Sequence, residues 1–257
     1  MATVTAAIYF HPEAYSTAGP RLMGRNAAGE AFLHGLLDHG VDEELWALVE
    51  RPEHGEIFAD IVRESHQKKK IRLLTKRNIQ ALSRPGALFY PGPGIGSLAW
   101  QRASLNHSAW SLCGITHTTC SSGAMDSIAD LVAAPVERWD GIICTSSAVK
   151  SNVEYIMDAQ VEHLSQRLGS CSYVRPQMPI IPLGIDTKSF EFEEVERSEA
   201  RRCIGADDGA IVVLYMGRLS FHAKAHPLAM YLALEKAACR LDTRMRVVLI
   251  ECGWHAN

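Results

Sequence analysis

Short apolar runs alternate with helical patterns along nearly the whole chain, and that alternation restricts the fold more than any other feature. Thr3–Phe10 reads as a first strand. Asn26–Leu37 reads as a helix with Phe32, Leu33, Leu36 and Leu37 on one face, ended by Gly40. Leu45–Val49, Ile71–Leu74 and Ala87–Tyr90 read as further strands, the last stopped by Pro91-Gly92-Pro93-Gly94. Ser97–His107 reads as a helix, Leu112–Thr116 as a strand and Met125–Ala133 as a helix. Gly141–Cys144 is a buried strand, Val149–Leu168 a long helix capped by Gly169, and Pro179–Pro182 a last short strand. Such alternation predicts an α/β fold, a Rossmann-like parallel sheet with helices on both faces. Residues 184–197 are polar and acidic and read as a crossover or linker. A second β-α-β follows in Ile211–Met216, Pro227–Arg240 and Arg246–Ile250. The expected organisation is a Rossmann-like domain over residues 1–190 and the start of a second over residues 198–257.

Composition narrows the function classes. Of 257 residues, 47% are apolar, enough to bury a full core. The formal net charge of -3 and a pI near 6.4 argue against a nucleic-acid surface. No apolar run approaches the ~20 residues that cross a bilayer. The N-terminal MATVTAAIYFHPEAY lacks a basic leader and reads as a strand, not a signal peptide. Seven scattered cysteines suit reduced thiols, and a cytoplasmic location is expected.

The motif richest in chemistry is Val212–Lys224, VVLYMGRLSFHAK. A strand runs into Gly217 and Arg218, with Lys224 close behind. In open α/β sheets ligands bind at the carboxyl edge of the strands. Two cations there suit a diphosphate, the guanidinium as a planar fork and the ammonium as a point charge. The plainer reading is a pair of exposed cations after a strand.

Upstream lies Ile180–Phe190, IIPLGIDTKSF. Pro182, Gly184, Ile185, Asp186 and Phe190, followed by Gly217, Arg218, Leu219 and Lys224, make the chain resemble the retaining glycosyltransferases of family four, with the two-domain GT-B fold. Leu183 stands where that family has Asn, Ala225 follows Lys224 where it has Gly, and Phe221-His222-Ala223 is a local insertion. The family's paired glutamates, which lie later in the second domain, have no counterpart before Asn257, so that domain is expected to be cut short.

The resemblance implies transfer of a hexosyl unit from a nucleotide-diphosphate sugar to an acceptor hydroxyl, with retention and without a divalent metal or other cofactor. Arg218 and Lys224 would stabilise the departing phosphate, helped by Gly217. A first-domain histidine lies near the transferred sugar in that family, and His117, just after Leu112–Thr116, is the best-placed candidate. Its plainer role is a structural histidine bonded to neighbouring threonines. Cys113 and Cys120 flank it, but Cys-x3-His-x2-Cys lacks a fourth zinc ligand, and no orienting residue supports a Cys-His hydrolase.

The loop Thr17–Gly29, with Gly19, Gly24 and Gly29, loosens the backbone before a helix N-terminus that favours anions. The resemblance implies that it touches the donor phosphate and the acceptor, and Gly24 and Arg25 are the candidates. An ordinary flexible βα loop is the alternative. Its spacing is not G-x-G-x-x-G, so no dinucleotide is read from it. Pro91–Gly96 also follows a strand and is a candidate to line the cleft, although it reads first as a turn starting a helix. Lys68-Lys69-Lys70 with Arg72 reads first as a solvated turn before a strand, with a phosphate-binding patch as the alternative. The expected partners are a nucleotide sugar and a sugar, lipid or small-molecule acceptor. Two other readings stay open: a nucleotide-sugar epimerase on the same scaffold, and a non-catalytic nucleotide-sugar or carbohydrate-binding fragment.

Overall fold

The computed structural model describes residues 6–19, 22–41, 43–65, 69–169, 172–220, 224, 226–241 and 245–254. Thr3–Thr5 of the expected first strand, Lys68, Phe221-His222-Ala223, Ala225 and Asn257 lie outside the described residues. The chain divides into two compact units, one formed by residues 1–19 and 24–185, the other by residues 20–23 and 186–257.

The first unit is a six-stranded, all-parallel sheet. Its strands are β1 (Ala6–Phe10), β2 (Glu44–Val49), β3 (Lys70–Leu74), β4 (Ala87–Phe89), β5 (Ser111–Thr116) and β6 (Gly141–Cys144). Their order is β3-β2-β1-β4-β5-β6. Parallel strands need crossovers, and helices supply them: α1 (Pro12–Tyr15) and α2 (Gly24–His39), α3 (Pro52–Ser65), α4 (Gly96–Ala103), α5 (Ser122–Asp130) and α6 (Ser147–Leu168). Strand side chains alternate between two cores. Ile8, Phe10, Ala47, Val49 and Phe89 pack with Leu33 and Leu37 of α2 and Phe58 and Val62 of α3. Ala7, Trp46, Leu48, Leu88, Leu112 and Ile142 pack with Leu98 of α4, Ile128 of α5 and Val153 and Met157 of α6. Helices thus cover both faces of an α/β, Rossmann-like fold.

Several local expectations change. Pro179–Pro182 is not a strand: only isolated parallel bridges, Gly141 with Gln177 and Cys144 with Ile180, extend the sheet past β6. Pro176, Pro179 and Pro182 carry no N–H and cannot sustain a ladder. Gly29 does not loosen a ligand loop. It lies inside α2, where a Cβ would stand 1.8 Å from the Ala14 carbonyl oxygen, so its bare Cα lets α1 pack closely. Lys69 is not simply solvated, because its Nζ donates to the Gly40 and Leu37 carbonyls at 2.7 and 3.3 Å, tying down the end of α2.

At the amino end of the sheet, Arg102 and Asp140 form a fully buried bidentate pair, at 2.6 and 2.7 Å. Asp140 also accepts from the Leu112 and Glu137 amides, each at 2.7 Å. One carboxylate thereby locks α4, β5 and the entry to β6.

In the second unit, the acidic stretch expected as a linker is partly α7 (Glu194–Cys203). Glu193 and Glu196 form a reciprocal capping box, and Arg201 and Arg202 sit in the last turn. Strands β7 (Ile211–Met216) and β8 (Val247–Cys252) pair in parallel, with α8 (Pro227–Ala238) between them in sequence. The pairing continues past the strands through Gly217 N to Cys252 O and Leu219 N to Trp254 O, both at 2.9 Å. A Cβ on Gly253 would lie 1.7 Å from the Gly217 carbonyl oxygen, so only glycine permits this approach.

Candidate active-site clefts

The strand order of the first unit reverses between β1 and β4, so crossovers leave in opposite directions there. That geometry opens a crevice at the carboxyl ends of the strands. A cleft of about 280 Å³ occupies this place. Four of the six strand ends contribute to it: Tyr9 of β1 and His11 just beyond it, Glu50 beyond β2, Tyr90 and Pro91 beyond β4, His117 beyond β5, with Glu13 and Ala14 of α1 and Arg25 of α2.

His117 and Arg25 are therefore brought together. Burial, and then the Arg25 guanidinium, hold the His117 ring below the ordinary imidazole pKa, so it is neutral at neutral pH. Its Nδ1 is buried without a hydrogen-bond partner among the described residues. Gly24 opens α2 beside Arg25, in open space. Cys113 and Cys120 are free thiols, and burial pushes Cys113 up. Among the described residues, no three His, Cys, Asp or Glu side chains cluster as metal ligands do.

Pro91 belongs to the segment expected as a candidate cleft lining, and, besides His117 and Arg25, the remaining lining residues carry no motif in the sequence. The Tyr9 hydroxyl donates a short hydrogen bond to Glu50 Oε1. Burial and this bond raise the phenol's pKa, while the same bond holds Glu50 below the usual carboxylate range. Tyr90 meets Tyr9 edge-on at 5.0 Å, and His11 meets His54 edge-on at 4.6 Å. His11 Nδ1 accepts from the Glu13 amide at 3.3 Å, capping α1. The available signal was positional, because His11, Glu50, Tyr90 and His117 each directly follow a strand. The cleft offers carboxylate acceptors, imidazoles and aromatic faces, a set suited to hydroxyl-rich ligands.

The second unit has its own pocket, of about 430 Å³, where β7 and β8 end and α8 begins. Tyr215, Leu219, Ser220, His226, Pro227, Met230, Tyr231 and Glu251 line it. The loop after β7 contributes Leu219 and Ser220 to this lining rather than Arg218 or Lys224. Arg218 instead lies over the Trp254 ring, 6.0 Å from its centroid. Lys224 is exposed, and its amide donates to the Ser220 carbonyl at 2.9 Å. Gly217 hands the chain from β7 into this loop.

No protein-family model matches the sequence, and no curated protein matches it. Solved structures do match. Anabaena Alr3699/HepE in complex with UDP, and with UDP and glucose, each aligns with a TM-score of 0.53 at 12% identity. The same protein in complex with UDP-glucose aligns with a TM-score of 0.51 at 12% identity. Each alignment covers 96% of this chain and 69% of the other. At this identity the likeness establishes a shared Rossmann-like α/β fold.

Proposed function

We propose that this chain is a glycosyltransferase of the retaining family-four type, on the GT-B plan. It moves a hexosyl unit from a nucleotide-diphosphate sugar to an acceptor hydroxyl. The observation that carries this reading is Gly217-Arg218 directly beyond β7, in a chain whose fold matches over 96% of its length a protein solved with UDP and with UDP-glucose.

The second unit serves the donor. Arg218 and Lys224 stabilise the charge that grows on the departing phosphate, and that oxygen takes the acceptor's proton on the same face of the sugar. Such chemistry needs electrostatic stabilisation and positioning rather than a resident metal. The first unit serves the acceptor and the transferred sugar. Neutral His117 exchanges hydrogen bonds with sugar hydroxyls, with Gly24 and Arg25 at the entrance of α2. The acceptor is a sugar, a lipid or a small molecule carrying a hydroxyl.

A thermal-shift screen of UDP, GDP, ADP and their sugars on the whole chain tests this reading. At least one nucleotide should raise the melting temperature, and Arg218→Ala should abolish most of that rise. An unchanged rise in Arg218→Ala would remove Arg218 from the site. A silent screen would overturn the nucleotide-sugar reading itself.

A further inference from the structure

The pocket of the second unit contains a carboxylate that this mechanism does not use. Glu251 is the penultimate residue of β8 and pairs in register with Tyr215 of β7. Both side chains line the pocket beneath the first turns of α8. From α8, the Tyr231 hydroxyl donates to Glu251 Oε2 at 2.8 Å. The carboxylate holds that phenol protonated by raising its pKa.

A carboxylate is an acceptor with about four lone-pair positions, and Tyr231 occupies one. Whatever enters the pocket beside it must donate hydrogen bonds and must not be negative. Phosphate oxygens are therefore excluded from Glu251, and neutral hydroxyls are favoured. Two adjacent hydroxyls can reach one carboxylate together. Leu219, Pro227, Met230 and the rings of Tyr215 and Tyr231 add apolar surface for the carbon faces of such a ligand.

Resting on the nucleotide-sugar reading above, we infer that Glu251, positioned by Tyr231, recognises a vicinal diol of the sugar nucleotide. The diol belongs either to the ribose or to the transferred sugar, and both present the same chemistry.

Titration calorimetry on the whole chain separates the outcomes. The probes are UDP, GDP and ADP, their 2′-deoxy counterparts and UDP-glucose, against wild type, Glu251→Gln and Tyr231→Phe. A hydrogen bond to a charged group predicts that wild type binds the ribonucleotide roughly 10- to 100-fold tighter than its deoxy form. Glu251→Gln should bring that ratio near one, and Tyr231→Phe should lower it part of the way. If the diol lies on the transferred sugar, Glu251→Gln weakens UDP-glucose while leaving UDP and the deoxy ratio unchanged. Glu251→Gln that changes neither ratio overturns the inference and leaves nucleotide binding intact. Absence of binding by every probe overturns the underlying reading, which is a different result.

Discussion

At His117 two effects press in the same direction. Burial disfavours the charged ring, and the Arg25 guanidinium repels it. The ordinary value is 6.5, and the folded value lies below it. The neutral ring is thus fully available above pH 6.5, and its contribution is lost as acid takes the pH down through the folded pKa. The pH profile of transfer should show an acid limb below 6.5. Arg25→Ala should move that limb upward, toward 6.5, by removing the repelling charge. A limb unmoved in Arg25→Ala would show that another group titrates. Asp140 is a structural counterpart, a buried carboxylate paired with Arg102 and with the Leu112 and Glu137 amides. Asp140→Asn leaves Arg102 buried without its counter-ion, and breaking such a pair costs about 3–5 kcal/mol. Urea denaturation of the two proteins should differ by that amount, with no change in nucleotide affinity.

At the scale of elements, the strands were legible because parallel strands buried on both faces are short apolar runs bounded by turn residues. The β7 bounds coincide with the run Ile211–Met216, and β6 with Gly141–Cys144. Helices with modest apolar faces were less visible. Helix α3 buries Gly55, Phe58, Ala59 and Val62, a helical spacing in which two members are small. Helix α7 buries none of its residues, so its charged composition resembles a linker; capping and the Glu194–Arg197 ion pair at 3.0 Å stabilise it instead. The candidate site was legible only where a motif marked it. His117 and Glu50 each follow a recognisable strand, whereas the pairing of Glu50 with Tyr9 comes from the neighbouring of β1 and β2 in the sheet, which no local pattern encodes. Gly253 is a third kind of hidden residue, fixed by a backbone approach between β7 and β8. Gly253→Ala must displace the Gly217 carbonyl or β8 itself, and overpacking of this kind costs about 1–3 kcal/mol. Nucleotide affinity should fall because the Gly217-Arg218 loop loses its register, while the Arg25-sensitive acid limb persists. Unchanged calorimetric affinity in Gly253→Ala would detach that loop from donor binding.

For the whole molecule, the two units differ in how much they bury. Both apolar cores belong to the first unit. Among the described residues of the second, the buried apolar side chains are Ala206 and Ala210, while Leu214, Met216, Leu228 and Leu232 remain exposed. Little buried apolar surface means low local stability, so the second unit should open more readily than the first. Amide hydrogen exchange on the whole chain should therefore be slowest in β1, β4 and β5 and faster in β7, β8 and α8. Ligand that binds only the closed form stabilises it by about 2.7 kcal/mol at a hundred times its dissociation constant, slowing exchange roughly a hundredfold. If the second unit holds the donor, a saturating sugar nucleotide should slow β7, α8 and β8 by that factor and change β3 and α3 little. Protection confined to the ends of β1, β4 and β5 would instead put the nucleotide in the first unit's cleft, and Arg218 and Glu251 would lose their assigned roles together.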